Sequence, residues 1–367
     1  MKIKIHKSTL SAALTQVSGI VPNNSTLPIL SNVLIEADGS SLKLSTTDLD
    51  RCATKRIEAG IEQPGKVTLP VKRLSAIVRE LPTEEISIEV NAQNIATIRS
   101  GPSVFKINGL PATEFPEMGF VTDGLKIAIN QADLKAALDK TVYAMSFDET
   151  RYILNGIYFE AEQSQLTLVS TDGRRLALLN CDAAEPVAFE KSFIIPRNTI
   201  DELRKALGQS GVVGLIASDS MASFEINNLT LTTKLIEGNY PNFRQVIPAS
   251  SKYRAKVERE SFLSALKRVA LLVNERTNSL KLTFGDNGIS ISSNSPDIGE
   301  SEESVDAIYD GPEITMGLNP EYLSACLRAL PNDQVFIDLS DSDSPAVIQV
   351  ESPELFLYVI MPMRVAN

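Results

Sequence analysis

The 367-residue chain repeats one local pattern three times, and this internal repeat limits the possible folds more than any other feature. In each copy a short strand pattern leads into a helix pattern, whose centres lie at residues 10–14, 134–138 and 262–266. These copies are 124 and 128 residues apart. The second helix pattern of the copies covers residues 70–81, 196–207 and 319–330. Two elements with nearly the same period predict three consecutive domains of one fold.

The pattern within each copy predicts an α+β domain, because strand patterns with polar turns fill most of the chain between the helix patterns. Each copy is expected to contain two helices and roughly eight strands in two antiparallel sheets. The predicted domains are 1–122, 123–250 and 251–367, with linkers near 120–124 and 248–252. The six helices are expected at residues 7–19, 72–81, 130–145, 197–207, 259–273 and 319–330.

One turn distinguishes the middle copy from the other two. The sequence STDGRRLA at residues 170–177 predicts a tight turn between two strands, because Asp bonds its own backbone and Gly tolerates a positive φ. Residues 45–51 of the first copy resemble it, and residues 292–296 of the third copy do so only weakly. The two arginines of the middle turn indicate either a solvated edge or a site for an anion.

The charge distribution constrains any contact with nucleic acid. The chain carries 35 basic and 46 acidic residues, a formal net charge of −11, so its surface as a whole is not suited to bind nucleic acid. The six predicted helices nevertheless carry a net positive charge. Either these residues form ordinary solvated helix faces, or helices of all three copies face one polyanion through phosphate contacts. The candidate DNA-facing residues are Lys72, Arg73, Arg79, Lys135, Lys140, Arg197, Arg204, Lys205, Lys267 and Arg268.

Metal, cofactor and nucleophilic chemistry have little support. Cys52, Cys181 and Cys326 lie far apart and form no metal-binding motif, which also fits a reducing cytosol. The single histidine, His6, lies in an alternating strand pattern and is expected to be a surface residue. No segment has the length and apolar character of a signal peptide or a membrane span. We therefore expect a cytoplasmic protein without a bound metal or cofactor.

Five short motifs together resemble the bacterial β sliding clamp family, the processivity subunit of DNA polymerase III. They are TLPIL at 26–30, RYILNG at 151–156, STDGRRLA at 170–177, YPNFRQVIP at 240–248 and MPMR at 361–364. The resemblance covers the whole chain. It implies a non-catalytic homodimer that forms a closed ring of six similar domains. Helices would line the hole and hold double-stranded DNA without reading its sequence.

The resemblance also implies a peptide pocket between the second and third domains. Its partners would be the replicative polymerase, the clamp loader, and other polymerases and repair proteins. The implied apolar walls are Leu154, Leu176, Pro241, Val246, Val359, Ile360 and Met361. The implied polar frame is Thr171, Gly173, Arg175 and Arg364, and the implied rim is Arg151, Tyr152, Asn319, Tyr322, Pro362 and Met363.

For the seam of the ring, the resemblance implies that Phe105 of the first domain meets Leu271 and Leu272 of the third. An acidic run at residues 300–306 could face Arg99 and Lys106 across this seam. The alternative is that these residues belong to the core and to solvated loops. An exposed apolar patch, however, calls for a partner.

The sequence departs from the family pattern in three places. Arg174 adds charge to the pocket edge, the loop containing Asn23 and Asn24 lacks an arginine, and Ala366 and Asn367 extend the terminus. Two other classes of function remain open. An enzyme could use Asp172 as a base or ligand, but no second matched carboxylate and no phosphate loop accompanies it. A monomeric adaptor could bind peptides without encircling DNA.

Overall fold

The computed structural model describes residues 1–22, 26–117, 119, 121–274, 278–296, 298–351 and 355–364. Asn23, Asn24, Ala366 and Asn367, which were singled out from the sequence, lie outside the described residues. The described α-helices are α1 (Lys7–Ser18), α2 (Val71–Glu80), α3 (Gln131–Thr141), α4 (Arg197–Ala206), α5 (Arg259–Val269) and α6 (Pro320–Ala329).

The six predicted helices are confirmed, and their starts differ from the prediction by no more than one residue. α3 and α5 end earlier than predicted because the chain tightens into 3-10 turns at Val142–Ala144 and Ala270–Leu272. The start of α6 shows why the starts are predictable. Asn319 accepts hydrogen bonds from the backbone N–H groups of Glu321 and Tyr322, and Pro320 takes the first helical position.

Twenty-six strands are described. The first repeat holds β1 (Lys2–His6), β2 (Asn32–Asp38), β3 (Ser41–Thr47), β4 (Arg51–Glu58), β5 (Gly60–Gln63), β6 (Gly65–Pro70), β7 (Glu85–Val90), β8 (Ile95–Ser100) and β9 (Ser103–Asn108). The second repeat holds β10 (Leu125–Asn130), β11 (Gly156–Glu162), β12 (Gln165–Thr171), β13 (Arg175–Asp182), β14 (Lys191–Pro196), β15 (Val212–Ala217), β16 (Met221–Ile226) and β17 (Leu229–Lys234). The third repeat holds β18 (Tyr253–Glu258), β19 (Leu280–Gly285), β20 (Gly288–Ser295), β21 (Gly299–Val305), β22 (Ala307–Tyr309), β23 (Ile314–Leu318), β24 (Gln334–Leu339), β25 (Ala346–Gln349) and β26 (Phe356–Ile360).

The chain forms two compact units. The first comprises residues 1–132, 187–189 and 198–235. It contains a five-stranded sheet in the order β5-β1-β7-β8-β9 and an eight-stranded sheet in the order β10-β15-β16-β17-β4-β3-β2-β6. Neighbouring strands are antiparallel throughout. α1 packs on α2 and buries Leu10, Leu14 and Val17, whose spacing places them on one helix face.

The second unit comprises residues 133–186, 190–197 and 236–367. Its nine-stranded sheet has the order β14-β11-β12-β13-β26-β25-β24-β18-β22, and its four-stranded sheet has the order β21-β20-β19-β23. These pairs are antiparallel as well. α5 packs on α6.

Each repeat contributes strands to two sheets, as predicted, but two of the sheets continue across the repeats. β4 of the first repeat pairs with β17 of the second, and β13 of the second pairs with β26 of the third. Both junctions give hydrogen-bond partners to strands that would otherwise be open edges. Periodicity within one repeat cannot reveal this pairing, because both edges look alike from their own residues.

Among the described residues, no helix is long and apolar enough to cross a membrane.

Candidate functional site

The turn of the middle repeat closes on itself through hydrogen bonds of Asp172 and Thr171. One carboxylate oxygen of Asp172 accepts the backbone N–H groups of Arg174 and Arg175 at 3.0 and 3.1 Å, and the other accepts Nε–H of Arg175 at 3.0 Å. The Thr171 hydroxyl accepts the N–H of Gly173 at 3.0 Å and donates to the carbonyl of Arg175 at 2.5 Å. Gly173 has φ +85°, which favours glycine. The Asp172 carboxylate is therefore already occupied by the turn.

Arg175 is a fixed internal cation rather than an open anion site. Its side chain is 10% exposed, and its guanidinium lies 4.3 Å from the centre of the Tyr322 ring. Burial works against the charge, but contacts with Tyr358 and Asp172 outweigh burial and raise the pKa of Arg175. The ion pair and the ring contact hold Arg175 in one place. Of the two alternatives that the turn left open, neither a solvated edge nor an open anion site describes Arg175.

A buried cluster behind Arg175 contains Tyr143, Tyr358 and Cys326. The Tyr143 and Tyr358 rings lie 5.6 Å apart, and the Tyr358 hydroxyl donates to the carbonyl of Tyr322 at 3.0 Å. Burial raises the pKa of both tyrosines well above the usual range and raises the pKa of Cys326 to about 12. These groups are neutral at physiological pH. They support the wall of the site and are not poised as bases or nucleophiles.

An open apolar cavity of about 120 Å³ lies beside the turn. Leu176 of β13 and Val359 of β26 face each other across the strand junction and form part of its floor. Leu154 ends the 3-10 turn at Glu149–Leu154, and Phe243 and Val246 lie on a second 3-10 turn. The cavity is lined by Leu154, Thr171, Gly173, Arg174, Arg175, Leu176, Pro241, Asn242, Phe243, Val246, Val359 and Met361.

A packed apolar core supports the walls of the cavity. Its buried members include Val169, Leu178 and Phe243. Tyr158 and Tyr240 stack against it with ring centres 4.9 Å apart. Close packing of aromatic side chains leaves them little freedom to move. The cavity therefore exists without a ligand and can accept apolar side chains.

Ten of the residues that the resemblance implied for a pocket line this cavity. They are Leu154, Thr171, Gly173, Arg174, Arg175, Leu176, Pro241, Val246, Val359 and Met361. Asn242 and Phe243 were missed, although both belong to the YPNFRQVIP motif that was singled out. Ile360 was expected in the apolar wall but does not line the cavity and is fully buried. Successive strand residues point to opposite faces, so Ile360 faces away when Val359 faces the cavity.

The remaining implied pocket residues lie elsewhere in the second unit. Arg151 donates to the carbonyl of Asp172 at 3.1 Å, and Tyr152 is 57% exposed. Asn319 is buried and caps α6, so its side chain is hydrogen-bonded to the backbone of the helix. Tyr322 lies under the Arg175 guanidinium. Pro362 and Met363 are half-buried and Arg364 is exposed, and none of these seven residues lines the cavity.

The basic helix residues differ in how available they are. Lys72, Arg73, Arg79 and Lys267 are exposed, whereas Lys135 and Arg204 are half-buried. Lys205 is exposed and pairs with Glu202 at 2.7 Å. Arg268 is exposed and forms an ion pair with Glu303.

Two of the predicted DNA-facing residues are poorly placed for DNA. Lys140 is only 8% exposed. The Arg197 guanidinium lies 3.6 Å from the centre of the Phe147 ring and donates to the carbonyl of Ser146 at 2.9 Å. Little of Lys140 is exposed, and the guanidinium of Arg197 is engaged within the chain, so both are weaker candidates for a DNA contact than the exposed helix residues.

The residues implied for a ring seam lie on exposed edges. Leu271 is 79% exposed, Phe105 is 39% exposed and Leu272 is half-buried. Phe105 belongs to β9, the last strand of its sheet, and β21 is the last strand of the four-stranded sheet. Phe105 thus lies on an edge strand of the first unit, and Leu271 lies on a 3-10 turn that packs against β21, an edge strand of the second unit.

The turn of the first repeat has the same hydrogen bonds as the turn of the middle repeat. Asp48 accepts the backbone N–H of Arg51 at 2.7 Å and pairs with its guanidinium at 2.7 Å. Thr47 accepts the N–H of Leu49 at 3.1 Å and donates to the carbonyl of Arg51 at 2.7 Å. The predicted similarity between residues 45–51 and residues 170–177 is therefore confirmed in the structure.

A groove in the first unit lies at the equivalent strand junction and is lined by both polar and apolar residues. Cys52 pairs with Thr232 across the β4–β17 junction, where Leu176 pairs with Val359 in the second unit. Both residues line the groove, together with Ser45 and Thr54. The apolar cavity is therefore a property of one of two equivalent places.

Leu49 occupies the place of Gly173 with φ +79°, and replacing it by glycine should stabilise the first unit. A left-handed conformation costs a non-glycine residue about 1–2 kcal/mol, whereas glycine loses about 0.5–1 kcal/mol through unfolded-state entropy. Leu49→Gly is thus expected to raise the free energy of unfolding by roughly 0.5 kcal/mol, measured by urea denaturation. Leu27 is similarly exposed but has φ −102°, so Leu27→Gly should lower that free energy.

Three family models cover nearly the whole chain. The N-terminal domain of the DNA polymerase III beta subunit matches residues 1–119, the central domain matches residues 128–242, and the C-terminal domain matches residues 244–364.

Solved structures define the class of fold. A DNA polymerase sliding clamp from Bacillus subtilis superposes with a TM-score of 0.95 at 32% identity and covers 100% of both chains. A sliding clamp from Bartonella birtlesii bound to griselimycin gives a TM-score of 0.94 at 36% identity, again over 100% of both chains. The fold is thus that of a sliding clamp with three α+β domains.

Curated relatives lead to the same family. The beta sliding clamp of Pseudomonas aeruginosa is 33% identical over 99% of this chain and 100% of its own length. That of Caulobacter vibrioides is 34% identical over 100% of both chains. The chain belongs to the DNA polymerase III beta subunit family and functions as a DNA sliding clamp in replication.

Proposed function

We propose that two copies of the chain close head to tail into a ring around duplex DNA, and that the cavity holds peptides of its partners. The observation that supports a peptide pocket is the apolar cavity at the β13–β26 junction. The domains are proposed as 1–122, 123–250 and 251–367. The ring would act in the cytoplasm as a processivity factor without catalytic residues of its own.

The ring seam would join β9 of one copy to β21 of the other. Both are edge strands with unpaired backbone groups, which can form a continuous sheet when two chains meet. Lys106 lies on β9, and Glu300 and Glu302 lie on β21, so the two edges carry opposite charges. Phe105 and Leu271 would exclude water from the contact.

Twelve helices would line the hole of such a dimer. Helices packed about 9 Å apart in a circle give a diameter of about 34 Å between axes. Subtracting one helix diameter of about 10 Å leaves room for a duplex and a layer of water. The basic residues proposed to face DNA are Lys72, Arg73, Arg79, Lys135, Arg204, Lys205, Lys267 and Arg268. Weak phosphate contacts suffice, because encirclement and not affinity retains the DNA.

The proposed ligands of the cavity are short peptide segments of the polymerase catalytic subunit, the clamp loader, and other polymerases and repair proteins. The walls contributed by Leu176, Val359 and Met361 favour apolar side chains. Two related clamp structures contain griselimycin. We propose that griselimycin also occupies this cavity and competes with partner peptides.

Encirclement can be tested by changing the ends of the DNA. The clamp would be loaded onto nicked circular DNA by a clamp loader and separated from free protein by gel filtration. Cutting the circle once should release the clamp, because a ring slides off a free end, whereas blocking both ends with bound protein should retain it. Retention on unblocked linear DNA would contradict encirclement and would instead indicate that the protein binds DNA directly.

A further inference from the structure

The turn of the first repeat ends on a largely buried arginine that reaches the following repeat. The Asp48 carboxylate pairs with the guanidinium of Arg51, whose side chain is only 14% exposed. Nη1 of Arg51 also donates to the carbonyl of Asn198 at 2.9 Å, in the first turn of α4. Because α4 belongs to the second repeat, Arg51 joins two repeats while its charge is neutralised within its own turn.

The second unit has the same arrangement at its own repeat boundary. Arg175 pairs with Asp172, and its guanidinium covers the ring of Tyr322, in the first turn of α6. α6 belongs to the third repeat. Both arginines therefore contact the start of the second helix of the repeat that follows. An aspartate of the same turn allows each guanidinium to be buried at a boundary without an unpaired charge.

The third repeat has a glycine at this position. Equivalent positions are marked by three hydroxyl groups that each donate to a carbonyl at the end of the first helix of the repeat or of the turn after it, those of Thr46, Ser170 and Ser293. The residues paired with them across the hairpin are Ala53, Ala177 and Ser301. Two residues before these lie Arg51, Arg175 and Gly299. Because glycine has no side chain, the third repeat cannot make this contact across the proposed seam.

A second side-chain contact at the β4–β17 junction is weaker than that of Arg51. Lys234 Nζ lies 2.9 Å from a carboxylate oxygen of Asp50, but the two side chains are 57% and 73% exposed. Water and salt screen such an ion pair, so it contributes little. A hydrogen bond from a largely buried charged group contributes more. Of these two contacts, that of Arg51 therefore holds the junction more strongly.

The position of α4 also decides where two basic residues lie. Arg204 and Lys205, both proposed to face DNA, are in the last turn of this ten-residue helix, whereas Arg51 binds its first turn. Such a helix is about 15 Å long, so a small change of angle at its start displaces its end. A fixed start therefore holds these two residues in place relative to the first repeat.

We propose that Arg51 is a positioning residue that locks the junction between the first and second repeats, so that these repeats move as one body when the ring opens. This role rests on the proposed ring, although the contact itself lies within one chain. Gly299 leaves the seam without an equivalent link. Strain on a closed ring would therefore separate the two chains at the seam before it separates the repeats at the β4–β17 junction.

Hydrogen–deuterium exchange of the full-length protein, followed by mass spectrometry of its peptic peptides, measures the junction directly. Arg51→Met is expected to speed exchange of the β4 and β17 amides about ten-fold, because it removes a hydrogen bond from a charged group and keeps most of the side-chain volume. Peptides from β13 and β26 should exchange as in the wild type. Arg56→Met is the matched control on the same strand, since Arg56 is exposed, and should change nothing.

Two further measurements separate the junction from the turn and from general stability. The double variant Asp48→Asn with Arg51→Met removes the carboxylate that the single variant leaves unpaired, and it should exchange as fast as the single variant. Spin labels at Arg79→Cys in α2 and Lys205→Cys in α4, in a Cys52→Ser background, report the position of α4 by electron–electron resonance. Arg51→Met should widen the distribution of distances between the labels.

Failure of the lock and failure of the ring give different results. Wild-type exchange in the Arg51→Met variant overturns the role of Arg51 and leaves the ring in place. Faster exchange in every strand shows a general loss of stability and also overturns that role, as does recovery of slow exchange in the double variant. Exchange of β9 and β21 no faster than that of β4 and β17 in the wild type contradicts a seam without a lock. If the wild type is a monomer in light scattering, the ring is wrong and the role of Arg51 in its opening falls with it.

Discussion

Truncation after Ile360 is expected to abolish peptide binding, with a loss of affinity of about 100-fold or more. The physical reason is the removal of Met361, which forms one wall of the cavity. Losing one fully buried apolar contact costs about 3 kcal/mol, which corresponds to this factor. Binding of a fluorescein-labelled partner peptide, measured by anisotropy, checks the result.

The fold should survive this truncation because β26 ends at Ile360 and stays paired with β13 and β25. Among the described residues, two backbone hydrogen bonds are lost, from Met361 to Arg174 and from Met363 to Gly317. The dimer mass should be unchanged in light scattering.

Single substitutions test which residue of the removed segment is responsible for the loss of peptide affinity. Met361→Ala should reproduce much of the loss, whereas Met363→Ala should have little effect because Met363 does not line the cavity. Unchanged peptide affinity in the truncated protein would refute the pocket assignment.

Leu271→Asp is expected to convert the proposed dimer into a monomer at micromolar concentration. Leu271 is 79% exposed in the single chain, and the proposed seam would bury it. Replacing a buried leucine by an unpaired carboxylate loses about 1.5–3 kcal/mol of apolar burial and adds a desolvation penalty. Size-exclusion chromatography with light scattering should give the mass of one chain, 39.9 kDa, and not twice that mass.

A matched control distinguishes the seam from general damage. Ile308 is 74% exposed and lies on β22, at the edge of the nine-stranded sheet and not on β21. Ile308→Asp should therefore leave the dimer intact. The monomeric Leu271→Asp protein should still bind partner peptide, because the cavity lies within one chain, but it should not be retained on circular DNA. Dimer formation by this variant would contradict the proposed seam.

Arg175 shows where reasoning from sequence reached its limit. The STDGRRLA motif predicted the turn correctly, since its hydrogen bonds join residues within four positions of each other. The resemblance placed Arg175 in the polar frame and Arg174 at the pocket edge, but the motif itself gave no physical reason for the difference. Arg175 is held by Tyr322, which lies far away in the chain, whereas Arg174 is exposed at the cavity.

The sequence by itself determined the three repeats, the six helices and the turns, because helix periodicity, caps and Asx turns depend on neighbouring residues. It also placed most of the cavity residues, through motifs that the family shares. Only the tertiary structure decided that β13 pairs with β26, that Ile360 faces away from the cavity, and that Lys140 is buried. These properties depend on which distant strands and helices meet, since burial and strand partners are set by contacts between residues far apart in the chain.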